Sequence, residues 1–159
     1  MLFRSKPTRA ATAQSAMQAV AGYACFNDAT VRDYQRHASQ FTPGKNFPGS
    51  AGFGPWLVTA DEVKRPQALD LTTRLNGRVM QAANTGEMIF SIAQIICYVS
   101  IWTQLRPGDV IATGTPAGVG FVRNPPVFLK PKDVVEVEIS GPGADLGCLR
   151  NPVAAERAR

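Results

Sequence analysis

Residues 69–79 read Leu69-Asp70-Leu71-Thr72-Thr73-Arg74-Leu75-Asn76-Gly77-Arg78-Val79, and this stretch decides the fold class. Leu69, Leu71, Thr73 and Leu75 alternate with polar neighbours, the period of two that puts one strand face on a core. Asn76-Gly77 follows, and Val79 opens a return run. Asn and Gly tolerate the left-handed backbone of a two-residue hairpin turn, so the sequence predicts an antiparallel pair here. Further strands are expected at 56–59, at Val110-Ile111-Ala112 after a Pro-Gly-Asp turn, and at 134–139, where Val and Glu alternate. Fourteen glycines and twelve prolines in 159 residues suit short strands joined by many turns.

Beyond this hairpin, Met88 to Leu105 carries no charge over eighteen residues, close to the length of a membrane span. Its pattern is that of a packed helix instead. Ile92, Ile95, Ile96, Val99 and Trp102 fall on one helical face, and Gln94, Ser100 and Gln104 on the other. Ser91 and Gln94 have the spacing of a capping box, and Arg106-Pro107-Gly108 stops the helix. Several strands with one long amphipathic helix make an α+β fold, mainly β, with mixed sheets. The loop 41–55 (FTPGKNFPGSAGFGP) is too rich in Gly and Pro for regular structure and holds one charge, Lys45.

Composition narrows the function classes. The net charge is +5, yet no Lys/Arg run exceeds two residues, so neither nucleic acid nor a membrane surface is an expected partner. Cys25, Cys97 and Cys148 are far apart and odd in number, which speaks against a disulfide framework and for a reducing, cytoplasmic setting. A single histidine, His37, excludes a site built on several. Residues 1–19, basic and free of acids, read either as a disordered tail or unrelated start or as a transit peptide. Residues 20–153 are then the domain, and 154–159 a second tail.

Four segments carry chemistry-bearing residues. Gly22-Tyr23 runs through Asn27-Asp28-Ala29-Thr30-Val31-Arg32-Asp33; Pro43-Gly44-Lys45-Asn46-Phe47 follows; then Thr85 through Met88-Ile89-Phe90-Ser91; then Gly108 through Thr113-Gly114-Thr115-Pro116-Ala117-Gly118-Val119-Gly120. Asp28, the first acid of the chain, is either a ligand for a hard cation or the cap of a turn. Lys45 is either a solvated charge or an ammonium placed to stabilise an enolate. Arg32 and Gln35 share a face with Asp28 if the segment is helical, and Arg32 reads equally as a surface ion pair. Thr115 sits in a glycine-rich turn that exposes N–H groups and a hydroxyl to an anion, or is a plain tight turn.

In order and spacing the four segments resemble the C-terminal catalytic domain of the fumarylacetoacetate hydrolase family, over roughly Val20 to Val153 and ending in Leu149-Arg150-Asn151-Pro152-Val153. The resemblance implies a roll or barrel-like arrangement of sheets and a divalent-metal-dependent hydrolase or isomerase acting on 2-oxo or 1,3-dicarbonyl acids. Acylpyruvate-type C–C hydrolysis and hydroxymuconate-type isomerisation in aromatic catabolism are the reactions implied. It assigns Asp28 to Mg²⁺ or Mn²⁺, Lys45 to catalysis and the enolate region, Arg32 and Gln35 to the substrate, and Thr115 to its carboxylate. It implies a homodimer.

The family's Glu-x-Glu ligands and the lid carrying its His–Glu pair lie upstream of the aspartate, and none of residues 1–27 is Asp or Glu. The expectation is therefore either a truncated family enzyme or a non-catalytic remnant that packs against a full-length paralogue. Glu136 and Glu138 share a strand face and are expected to be half-exposed rather than metal ligands. His37 is expected in a loop.

Overall fold

The Asn76-Gly77 hairpin forms as its residues require. Both adopt positive φ, 51° and 79°, the geometry of the turn whose twist matches its flanking strands. The computed structural model describes residues 2–4 and 7–155. In chain order the elements are β1 (Leu2–Arg4), α1 (Ala13–Gln18), β2 (Val20–Asp28), α2 (Arg32–Gln35), β3 (Ala51–Thr59), β4 (Asp70–Leu75), β5 (Arg78–Asn84), α3 (Ile92–Trp102), β6 (Val110–Ile111), β7 (Val134–Gly141) and β8 (Ala144–Pro152).

They build two four-stranded sheets, ordered β3-β2-β1-β6 and β5-β4-β7-β8. Every strand pairing is antiparallel, so the expectation of mixed sheets is corrected. Tight turns join β4 to β5 and β7 to β8, and although α1 lies between β1 and β2 and α2 between β2 and β3, each of these connections returns its strand antiparallel. The sheets do not close into a barrel. β3 packs against β8 without joining it in one sheet, and from β2 the Cys25 thiol reaches the Gly147 carbonyl of β8 (3.4 Å).

Between the sheets lies the core: Tyr23, Cys25 and Val58 from one, Val137, Ile139, Leu146 and Leu149 from the other, with Ile92 and Ile96 of α3. β7 alternates as read, burying Val135, Val137 and Ile139. Its outward Glu138 and Glu136 pair with Arg74 (2.7 Å) and Arg150 (3.5 Å), so the acidic pair is ordinary sheet surface.

The helix departs from its reading in length and in phase. The capping box of Ser91 and Gln94 starts it, but α3 is eleven residues, because Thr103 is already extended and Leu105 bridges to Thr8. Ser100, expected outside, is fully buried: its hydroxyl accepts from the Ala11 N–H (2.9 Å) and donates to the Cys97 carbonyl (3.0 Å). Trp102, expected inside, is 63% exposed. A hydroxyl with both bonds satisfied enters a core at little cost, and the stripe turns to follow it. No described helix is long and apolar enough to cross a membrane.

Two further expectations change. Within residues 1–19, Leu2–Arg4 forms a strand between β2 and β6, and α1 packs on α3 behind a Thr12–Ser15 capping box, so the described part is not a tail. Residues 1, 5, 6 and 156–159 lie outside the described residues, and most of the second tail with them. The loop 41–55 is shorter than read, because β3 begins at Ala51. Pro55 is tolerated there because β3 is an edge strand, and its register with β2 slips beside it.

Candidate functional site

The end of β2, helix α2, the turn after it and the segment following β6 converge on one cavity of about 550 Å³. Asp28, Arg32, Gln35, Lys45 and Thr115 all line it. The rest of the wall is largely apolar, with Leu71 of β4, Met80 of β5 and Val137 and Ile139 of β7. A few polar groups converging in a mainly apolar hollow are what a small-ligand site needs.

Asp28 is the last residue of β2 and not part of the helix, so it does not share a helical face with Arg32 and Gln35, as the sequence suggested. It does not cap α2 either, since Val31 holds that position without a side-chain bond. Its carboxylate instead accepts from Lys45 Nζ at 2.5 Å, and the same ammonium donates to Thr30 Oγ1 at 2.9 Å. Backbone packing puts the lysine there. The Val31 N–H donates to the Gly44 carbonyl (2.9 Å), and a Cβ on Gly44 would stand only 2.8 Å from Gln35 Cα. Only glycine lets this turn lie flat on α2.

Arg32 bonds the Gln35 side-chain carbonyl and lies over the Phe121 ring, 4.6 Å from its centroid. Two neutral partners hold this guanidinium, which leaves its charge for an anion in the cavity. Gln35 is buried beneath it. Across the hollow, Gln81 Nε2 donates to Thr115 Oγ1 and to the Pro116 carbonyl, both at 2.9 Å. Tyr23, on the wall, has its phenol pushed up to about 12 by burial and stays neutral. Buried Cys25 beside it is pushed up to about 11 for the same reason, an inert thiol. His37 stands outside the site against Tyr34, ring centroids 4.8 Å apart.

The sequence reading missed Thr30, Gln81 and Phe121. Thr30 was legible, two residues after Asp28. Gln81 was not: a regular hairpin around Asn76-Gly77 sets Met80 opposite Thr73, but the pairing slips between Thr73 and Arg74, and Gln81 takes that place.

A family model described as fumarylacetoacetate hydrolase, C-terminal, matches residues 2–154. The chain belongs to this family. The match takes in the β1 and α1 region that the sequence reading had set outside the domain. A mitochondrial oxaloacetate tautomerase of Bos taurus is 45% identical over 143 residues, 89% of this chain and 44% of the relative. The solved fumarylacetoacetate hydrolase of Exiguobacterium antarcticum shares 40% identity with a TM-score of 0.91, over 98% of this chain and 54% of that one. A fumarylpyruvate hydrolase from Pseudomonas aeruginosa, solved with Mn²⁺ and pyruvate, shares 31% identity with a TM-score of 0.85, over 98% of this chain and 63% of that one. The chain spans about half the length of the curated relatives it matches. Members of the family are thus hydrolases and tautomerases, and at least one holds a divalent metal.

The donor chemistry of this cavity does not by itself make such a metal site. Among the described residues no three His, Cys, Asp or Glu gather, and the single acid on the wall is already paired with an ammonium. Mg²⁺ and Mn²⁺ need more oxygen charge than one shared carboxylate offers.

Proposed function

We propose that this cavity binds a small 2-oxo or 1,3-dicarbonyl acid, as part of an enzyme of acylpyruvate-hydrolase or hydroxymuconate-isomerase type. The observation that carries the proposal is the meeting of Arg32, Gln35, Lys45 and Thr115 around one hollow beside Asp28. Arg32 and Thr115 would hold carboxylate oxygen, and Lys45 would stand by the oxo group, where enolate charge develops when a C–C bond breaks or a double bond migrates. Asp28 would orient that ammonium. It supplies at most one ligand to a divalent ion.

The described wall holds no histidine and no second carboxylate, so it has no general base to activate water. That observation favours a second reading for these residues alone, a binding remnant without turnover. Titrating pyruvate, an acylpyruvate and a hydroxymuconate-type acid into the chain tests both. Release of pyruvate, or double-bond migration in the hydroxymuconate-type acid, supports the enzyme, binding with neither supports a remnant without turnover, and no binding at millimolar ligand removes the substrate reading. The proposal includes a homodimer. Supporting it, α3 carries no charged residue, and Tyr98, Ile101 and Trp102 leave an apolar face at least 60% exposed. Sedimentation equilibrium tests that part.

A further inference from the structure

We infer that Gln81 is a positioning residue for the carboxylate end of the site, turning the Thr115 hydroxyl into an obligate donor toward the bound anion. The inference rests on the substrate reading above and deepens it. A threonine hydroxyl has one proton and two lone pairs, and rotates to suit its neighbours, so alone it has no fixed polarity. Here the polarity is set. The Pro116 carbonyl can only accept, so the group of Gln81 that lies 2.9 Å from it is the NH₂. The same nitrogen is 2.9 Å from Thr115 Oγ1, so Thr115 accepts there. One lone pair is taken, and among the described residues no acceptor receives the hydroxyl proton. Thr115 lines the cavity, and a carboxylate oxygen is the acceptor that suits such a proton.

The surrounding chain keeps this arrangement in register. The bulge that puts Gln81 opposite Thr73 also frees the Met80 carbonyl, which accepts from Arg123. Arg123 Nε donates as well to the Gly118 carbonyl, 3.1 Å away. The segment after β6 is therefore tied to the edge of β5 at two places, Gln81 and Arg123. The Gln81 tie sets which way a ligand-facing proton points; the Arg123 tie fixes backbone only.

Pyruvate titrations followed by calorimetry, with thermal melts as a fold control, separate these roles. Gln81→Met is expected to weaken pyruvate binding about three- to ten-fold. Gln81→Glu, of equal length, is expected to weaken it further, because the introduced carboxylate accepts the Thr115 proton and withdraws it from the ligand. Thr115→Ser is expected to bind like wild type, and Thr115→Val like Gln81→Met, with the double variant no worse than either. Equal losses in Gln81→Met and Gln81→Glu, adding to that of Thr115→Val, would mean a mere loop tether and overturn the inference. So would wild-type affinity in Gln81→Met, which leaves the substrate reading intact. Absence of pyruvate binding in wild type overturns the substrate reading and this one together.

Discussion

Asp28 and Lys45 are 17 positions apart in the chain and 2.5 Å apart in space, yet their pairing contributes little to folding. The side chains are 45% and 30% exposed, and ion pairs so exposed are worth about 0–1 kcal/mol. Lys45→Met should therefore lower stability by less than about 1 kcal/mol. In the same variant, pyruvate affinity should fall about ten-fold or more, the usual scale for a hydrogen bond to a charged group. Paired melts and titrations check both, and a large stability loss with unchanged binding would recast the pair as scaffold. Asp133 shows the opposite balance, a carboxylate that serves structure. Hydrogen bonds from the Asn76 amide (2.8 Å) and the Lys130 N–H (2.9 Å) hold its carboxyl below the usual carboxylate range. A carboxylate lowered in this way stabilises the fold above its unfolded value, about 3.9, and loses that effect as pH falls through the lower native value. Asp133→Asn should thus melt below wild type at neutral pH, and the gap should shrink below about pH 4. A gap that persists at the acid end would disprove the assignment.

At the scale of elements, the site exists because a turn lies flat on a short helix. Gly44→Ala places a Cβ against Gln35 Cα and the Val31 carbonyl, both backbone neighbours that cannot swing aside. The turn must lift, at a cost of about 1–3 kcal/mol, and Lys45 moves with it. Calorimetric melts and pyruvate titration should show both losses together; full affinity in a destabilised variant would mean that Lys45 holds its place without the turn. The same scale explains what was legible. The β4–β5 hairpin, the alternation in β7 and the start of α3 follow from local rules, each set by a few adjacent residues: Asn76-Gly77, Val135 to Ile139, Ser91 with Gln94. The phase of α3 does not, because the choice of Ser100 over Trp102 for the core depends on Ala11, 89 positions away, which gives its N–H to the Ser100 hydroxyl. β2 was read for its aspartate and not as a strand, and β3 was cut short at its glycines and proline, since only the partner strand shows that an edge accepts them. Asp28, Lys45 and Thr115 were legible through motif order, whereas Gln81 depended on a bulge that no pattern in residues 69–84 announces.

For the whole molecule, two sheets pack face to face beside a mainly apolar hollow in which, among the described residues, the one acid is already paired with an ammonium. A divalent cation entering it must displace the Lys45 ammonium from Asp28 and give up hydration water for a single carboxylate, while Arg32 on the same wall repels it. Stabilisation by a ligand grows only as the logarithm of its concentration over its dissociation constant, so a site this poor barely registers. At about 1 mM Mg²⁺ or Mn²⁺, the melting temperature of this chain should move by less than about 1 °C. Pyruvate, bearing the complementary charge, should raise it in the same buffer with chelator present. A rise of several degrees at sub-millimolar Mn²⁺, abolished by Asp28→Asn, would show instead that the aspartate leaves its lysine for metal.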